Sequence, residues 1–223
     1  MDSGLVLRDF QIWLEQSLLL EISADVPCGQ VLTIMGPSGS GKSTLLAGLT
    51  GTLQAPFSCS GLIQLNGADI SRRPTNRRGI GILFQDDLLF PHMSVGANLA
   101  FGLRPGGSRA ERLALVSSAL AEVGLEGMED RDPASLSGGQ RARVSLMRML
   151  LAEPSALVLD EPFSRLDSTL RERTRSMVFG LANKRGLPVV LVTHDREDAA
   201  AANGQVIELS GDRAELRMTD QNS

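Results

Sequence analysis

The sequence predicts an α/β fold with a mainly parallel central sheet. Three observations carry that expectation. Short apolar runs rich in Val, Ile and Leu recur along the chain, helical patterns separate some of them, and a glycine-rich loop joins one run directly to a helical stretch. The runs are QVLTIM (30–35), GIGILF (79–84), ALVLD (156–160) and PVVLVT (188–193), each the length of a buried strand. Two earlier segments, GLVLRDF and SLLLEIS, alternate more strictly and are expected to form an antiparallel β flap beside the core.

Between residues 86 and 152 the texture turns helical. In SRAERLALVSSALAEVG, Leu113, Val116, Leu120 and Val123 fall on one face, and Gly124 supplies a stop. After SLSGGQ, Val144, Met147 and Leu151 repeat at three- and four-residue spacing. We therefore expect one domain over 1–223, with a sheet core from 1–85 and 153–223 and a helical subdomain, 86–152, inserted into it.

A chain of 223 residues, 42% hydrophobic and 22% charged, can bury one sizeable core. Its net charge of −4 sets up no global positive field, so nucleic acid is not an expected partner. Cys28 and Cys59 are too few for a disulfide framework and are not spaced for zinc, which fits a reducing compartment. Asp2, Asp9 and Glu15 stand where a secretory signal would need basic and then apolar residues. No apolar run approaches the ~18 residues of a bilayer span. The protein is expected not to cross a membrane by itself. Arg72, Arg73, Arg77 and Arg78 have no aromatics between them and read as a solvated loop.

GPSGSGKST comprises Gly36, Pro37, Ser38, Gly39, Ser40, Gly41, Lys42, Ser43 and Thr44. It fits G-x-x-x-x-G-K-[ST], with a strand before it and a helix after it. Glycines let the backbone turn its N–H groups toward a β-phosphate, and the helix N-terminus adds partial positive charge. Lys42 is expected to bridge the β- and γ-phosphates of ATP, and Ser43 to ligate Mg²⁺. ALVLDEP supplies the complement. Asp160, at the carboxyl end of its strand, suits the Mg²⁺ shell, and the adjacent Glu161 can take a proton from an attacking water.

A second glycine turn, SLSGGQRARVSL (135–146), brings the family into view. LSGGQ (136–140) resembles the signature of ATP-binding-cassette ATPases, and the other motifs follow in that family's order. Gln85 in ILFQDDLLF is similar to its Q-loop glutamine, SRLD (164–167) to its D-loop, and His194 in LVTHD to its switch histidine. The resemblance covers essentially the whole chain and implies a P-loop NTPase (RecA-like) core. It implies that His194 binds the γ-phosphate and orients Glu161 and water, and that Gln85 senses Mg²⁺. It further implies that Ser137, Gly138, Gly139 and Gln140, with Asp167, complete the ATP site of a second copy in a head-to-tail dimer. Trp13 lies 23 residues before Gly36, about where the family stacks an aromatic on adenine; Phe10 competes for that role. His194 could also simply precede a helix capped by Asp195, with Asp198 three residues on. His92 reads as an ordinary surface residue.

Within the family, DDLLFPHMSVGANLAFGL is similar to the same region of bacterial importer ATPases. Leu88, Leu89, Phe90 and Pro91 form an apolar patch that needs burial or a partner. The resemblance implies that 85–102 receives an integral membrane permease, with a periplasmic solute-binding protein engaged indirectly. The expected location is the cytoplasmic face of the inner membrane. The chain stops soon after GQVIELSGDRAELRM, so the expectation is a short importer ATPase, thiamine-type or related, without a C-terminal regulatory domain. The rival is a soluble cassette acting as a mechanical switch on a non-transport complex.

Overall fold

The computed structural model describes residues 4–209 and 217–218. Asp2 and most of the closing stretch GDRAELRM fall outside them. The described residues form two compact units. The first takes in residues through Ile82, Ser155–Glu161 and those from Phe179 onward; the second is Leu83–Pro154 with Pro162–Val178. The helical unit thus includes 162–178 as well as a stretch close to the expected insertion.

The first unit holds two sheets. β1 (Gly4–Leu14), β2 (Ser17–Pro27), β4 (Phe57–Leu65) and β5 (Ala68–Asp69) pair antiparallel in the order β2-β1-β4-β5. This is the expected flap, widened by β4 and β5, whose polar sequence FSCSG gave no apolar run to find. The second sheet has the order β10-β9-β3-β8-β7-β6. Its members are β3 (Val31–Met35), β6 (Ile80–Leu83), β7 (Ala156–Asp160), β8 (Val189–Val192), β9 (Gln205–Glu208) and β10 (Arg217–Met218). β3 pairs parallel with β8 and β9, and β7 with β8, whereas β10 pairs antiparallel with β9. β3 and β8 are buried at every position, which is why they read as unbroken apolar runs rather than alternating ones.

Helix α1 (Lys42–Thr50) follows β3 and lies against the flap. Phe10, Ile12 and Ile22 of the flap share one buried cluster with Ile34, Leu45, Leu49, Val158 and Val190. A Cβ on Gly48 would sit 2.7 Å from Ile12 Cδ1 and 2.9 Å from Phe10 Cζ. Glycine is unfavourable inside a helix, but here it permits that close approach. Helix α6 (Arg196–Ala202) leads into β9.

The second unit contains α2 (Val95–Gly102), α3 (Arg109–Glu122) and α4 (Gly138–Leu150). Ser94 caps α2, and Ser108 with Glu111 forms a capping box on α3. Val116, Leu120 and Val123 are buried as their spacing predicts, but Leu113 on the same helical stripe is 58% exposed. Asn98 of α2 is fully buried and organises the loop before it. Its Oδ1 accepts from Phe90 N at 2.8 Å, and its Nδ2 donates to the carbonyls of Phe90, Met93 and Ser94. Helix α5 (Ser168–Lys184) begins in this unit, with Leu170 N donating to Asp167 Oδ1 at 3.0 Å.

Candidate active site

The loop between β3 and α1 folds around one cation. Lys42, 8% exposed, donates from Nζ to Gly36 O at 2.8 Å and to Pro37 O at 2.7 Å. Gly39 and Gly41 have φ of 82° and 90°, the left-handed region that residues with a Cβ avoid. Gly41 is the N-cap of α1 and supplies no side-chain acceptor to the first turn. Helix N–H groups normally have such a partner, and here the cap residue provides none. Ser43 is exposed and Thr44 half-buried at the start of the helix. Ser40 Oγ is buried and has no hydrogen-bond partner among the described residues.

Two neighbouring strands bring the acids and the histidine together. Asp160 ends β7, and Glu161 follows with φ 48°, an uncommon conformation for a residue with a side chain. Glu161 N donates to Val192 O, the last residue of β8, at 2.9 Å. Two residues beyond, His194 places Nδ1 2.6 Å from Glu161 Oε2. Imidazole and carboxylate therefore meet across adjacent strand ends. Burial, and after it the charge of Glu161, pushes the Asp160 carboxyl above its ordinary range, while Lys42 works in the opposite direction. Half-buried acidic oxygens next to a hydroxyl-bearing helix start suit a hard divalent cation. Among the described residues no group of three or more His, Cys, Asp and Glu could hold a metal.

The remaining candidates lie in the second unit. Gln85 is exposed just after β6. Ser137 is the N-cap of α4 in a reciprocal capping box: its hydroxyl accepts from Gln140 N, and Gln140 Oε1 accepts from Ser137 N at 2.9 Å. A Cβ on Gly138 would point into open space, with only the Arg141 guanidinium at 3.9 Å, whereas one on Gly139 would run into the Leu170 side chain. Gly138 is thus half-buried with room beside it, and Gly139 is a packing glycine. The loop carrying Leu88 is held by α4. Arg141 Nε meets Asp87 Oδ2 at 3.2 Å, and Ser145 Oγ donates to Asp87 O at 2.8 Å. Burial pushes the Asp87 carboxyl up, while Arg141 lowers it. Leu88 itself is 55% exposed, while Phe90 packs edge-on against Phe101 at 4.8 Å. His92 is exposed.

The two aromatics considered for the base face opposite ways on β1. Phe10 is 1% exposed and packed against Gly48, so it has no free face. Trp13 is half-buried on the other face and donates Nε1 to Ser60 Oγ at 3.2 Å. Arg78 departs from the expected solvated loop. It is 6% exposed and donates to the carbonyls of Gly48 and Leu49 at the C-terminus of α1, and to those of Ser71 and Arg73. A basic run in the sequence does not reveal which member finds a helix end to cap. Arg72, Arg73 and Arg77 are exposed as expected.

Fold and site together define a P-loop nucleotide-hydrolysing protein. Residues 19–164 match the family described as ABC transporter. The chain is 51% identical over 187 residues to "Uncharacterized ABC transporter ATP-binding protein YnjD" of Escherichia coli (strain K12), covering 84% of this chain and 86% of that one. It is 45% identical over 203 residues to "Thiamine import ATP-binding protein ThiQ" of Jannaschia sp. (strain CCS1), covering 90% and 86%. It is also 43% identical over 188 residues to "Fe(3+) ions import ATP-binding protein FbpC 1" of Rhizobium meliloti (strain 1021), spanning 84% of this chain but 52% of that relative. The chain belongs to the ABC transporter family, as an ATP-binding subunit that hydrolyses ATP.

Proposed function

We propose that this chain is the ATPase subunit of a bacterial importer. Two copies bind two ATP molecules head to tail at the cytoplasmic face of the membrane, and a separate permease docks on 85–102. The observation that carries the dimer is the division of donors between two turns. The loop at 36–44 has Lys42 and a helix start without a side-chain cap, while the turn at 137–140 has room beside Gly138 and no lysine. The second turn is half a site, suited to the γ-phosphate held by another copy. Import is supported by the relatives named for thiamine and Fe(3+) uptake. No helix among the described residues is long and apolar enough to cross a membrane. The permease and its periplasmic binding protein choose the solute.

In this reading Lys42 exchanges its Gly36 and Pro37 carbonyls for β- and γ-phosphate oxygens, and the α1 N–H groups cradle the β-phosphate. Ser43 and Asp160 hold Mg²⁺, which when bound neutralises phosphate charge. Glu161 accepts the proton of the attacking water. His194 holds the Glu161 carboxylate in place and contacts the γ-phosphate. Ser137, with Asp167, acts on the partner copy, and Trp13 is the ring left to meet the adenine. The role of Gln85 as a sensor of Mg²⁺ rests on its place in the motif order.

Glu161→Gln tests the chemistry. Turnover is expected to fall roughly 10²–10⁴-fold, as for loss of a general base, with nucleotide binding kept and an ATP-bound dimer accumulating in size-exclusion chromatography. Near-normal hydrolysis would remove Glu161 from the mechanism. Recovery of the chain from membranes with an integral membrane protein tests import; uniform recovery without one would count against it.

A further inference from the structure

A third acid stands behind the Glu161–His194 contact. Asp198 lies in the first turn of α6 and is 2% exposed. Its spacing from Asp195 suggests a reciprocal helix cap, but Asp195 caps α6 by accepting from Glu197 N at 2.8 Å. Asp198 turns inward instead. Its Oδ2 accepts from Thr193 Oγ1 at 3.2 Å, and the same hydroxyl accepts from Asp195 N at 3.0 Å. Thr193 is 1% exposed, and its own N–H donates to Ile34 O of β3 at 3.2 Å.

Those bonds bracket one residue. Thr193 precedes His194 and Asp195 follows it, so the hydroxyl closes a small loop around the histidine backbone. The preceding residue, Val192, offers the carbonyl that receives Glu161 N. A buried carboxylate is unfavourable unless hydrogen bonds satisfy it, and α6 is already capped without Asp198. Helix capping therefore does not account for an inward acid at this position.

We propose that Asp198 is a positioning residue for the Glu161–His194 pair, acting through the Thr193 hydroxyl. It fixes the backbone from which the imidazole reaches Glu161. The inference rests on the reading of Glu161 and His194 as a working pair. Misplacing a reacting group by about 1 Å can cost on the order of 10²-fold in rate, so a partial loosening here is expected to cost about 10-fold.

The test uses the full chain and four variants at Thr193 and Asp198, with His194→Ala and Glu161→Ala as references, each measured for ATP hydrolysis, KM and thermal unfolding. Thr193→Val keeps the volume and deletes the hydroxyl, and Asp198→Ala deletes the carboxylate. Both are expected to lower kcat about 10-fold with KM for MgATP unchanged. Asp198→Asn keeps an oxygen acceptor, and Thr193→Ser keeps the hydroxyl; both are expected to restore turnover to within about 3-fold. The chain has two histidines, so NMR of the imidazoles reads the same point without turnover. The His194 resonance, assigned by its loss in His194→Ala, is expected to move in Thr193→Val toward its position in Glu161→Ala. Should Asp198→Ala not fold, Thr193→Val carries the test. An unchanged kcat and resonance in Thr193→Val, beside an impaired His194→Ala, overturns the positioning role. Loss of thermal stability with kcat unchanged would make Asp198 structural only and overturns it equally. Full turnover in His194→Ala would instead overturn the reading of the pair itself.

Discussion

The two glycine turns, 36–44 and 137–140, look alike in sequence and solve opposite problems. Each opens a helix, and each carries glycine at the helix start. At α1 the N-cap is Gly41 in the left-handed region, with no side-chain acceptor for the first turn, and Lys42 is folded back over the loop carbonyls. At α4 the N-cap is Ser137, whose hydroxyl and N–H are both engaged with Gln140. The first turn has no side-chain cap, and its lysine is bonded to the loop's own carbonyls. The second is capped from within by Ser137 and Gln140 and has room beside Gly138. In the proposed function the first turn therefore holds the nucleotide, and the self-capped second turn adds to a site held by another copy.

The largest expected effect separates the two turns by function. Lys42→Ala should weaken ATP binding and abolish hydrolysis together. Ser137→Arg should leave binding to the isolated chain within about 3-fold while hydrolysis falls by about 10² or more, the scale of losing a transition-state donor. Equilibrium titration with a fluorescent nucleotide, run beside a phosphate-release assay, checks both. Equal loss of binding in Ser137→Arg would erase the distinction.

A smaller effect distinguishes the glycines within the second turn. Gly139→Ala must displace the Leu170 side chain and is expected to destabilise the protein by about 1–3 kcal/mol, as overpacking does. Gly138→Ala meets open space, and its change in stability should stay within about 0.5 kcal/mol. Chemical denaturation of the two variants checks the difference; equal costs would mean both glycines serve packing.

The smallest effect belongs to the first site's acid. Asp160 has its carboxyl raised by burial first and by Glu161 second. The folded state therefore holds this proton more tightly than the unfolded chain does. The resulting penalty is absent below the ordinary value of 3.8 and is fully present once pH has risen through the raised value. At neutral pH and without nucleotide, Asp160→Asn should raise the melting midpoint by about 1–3 °C, on the scale of a fraction of a kcal/mol. A lower midpoint would show that Asp160 is satisfied without a cation.

Much of this molecule is legible along the chain because its signals are local. ALVLD is β7 residue for residue, and the runs at 30–35, 79–84 and 188–193 contain β3, β6 and β8. Strand β4 escaped because FSCSG is polar and mostly exposed, and it is defined by pairing with β1 rather than by its own composition. Leu113 sits on the right stripe of α3, yet nothing covers enough of it. Helical spacing specifies direction, and burial needs a neighbour.

The sequence by itself determined the strand–loop–helix around Lys42, the acids ending β7, and the order of motifs that marks the family. Each of these is written in a few consecutive residues whose backbone requirements leave little choice. Only the tertiary structure decided that Arg78 is buried against the end of α1, and that Phe10 is core while Trp13 faces away. It alone decided that Asp198 turns inward to hold Thr193. The reason is common to all three. Whether a polar or aromatic group is buried depends on which carbonyls, hydroxyls and apolar faces a distant segment brings to it, and no short stretch of sequence contains that information.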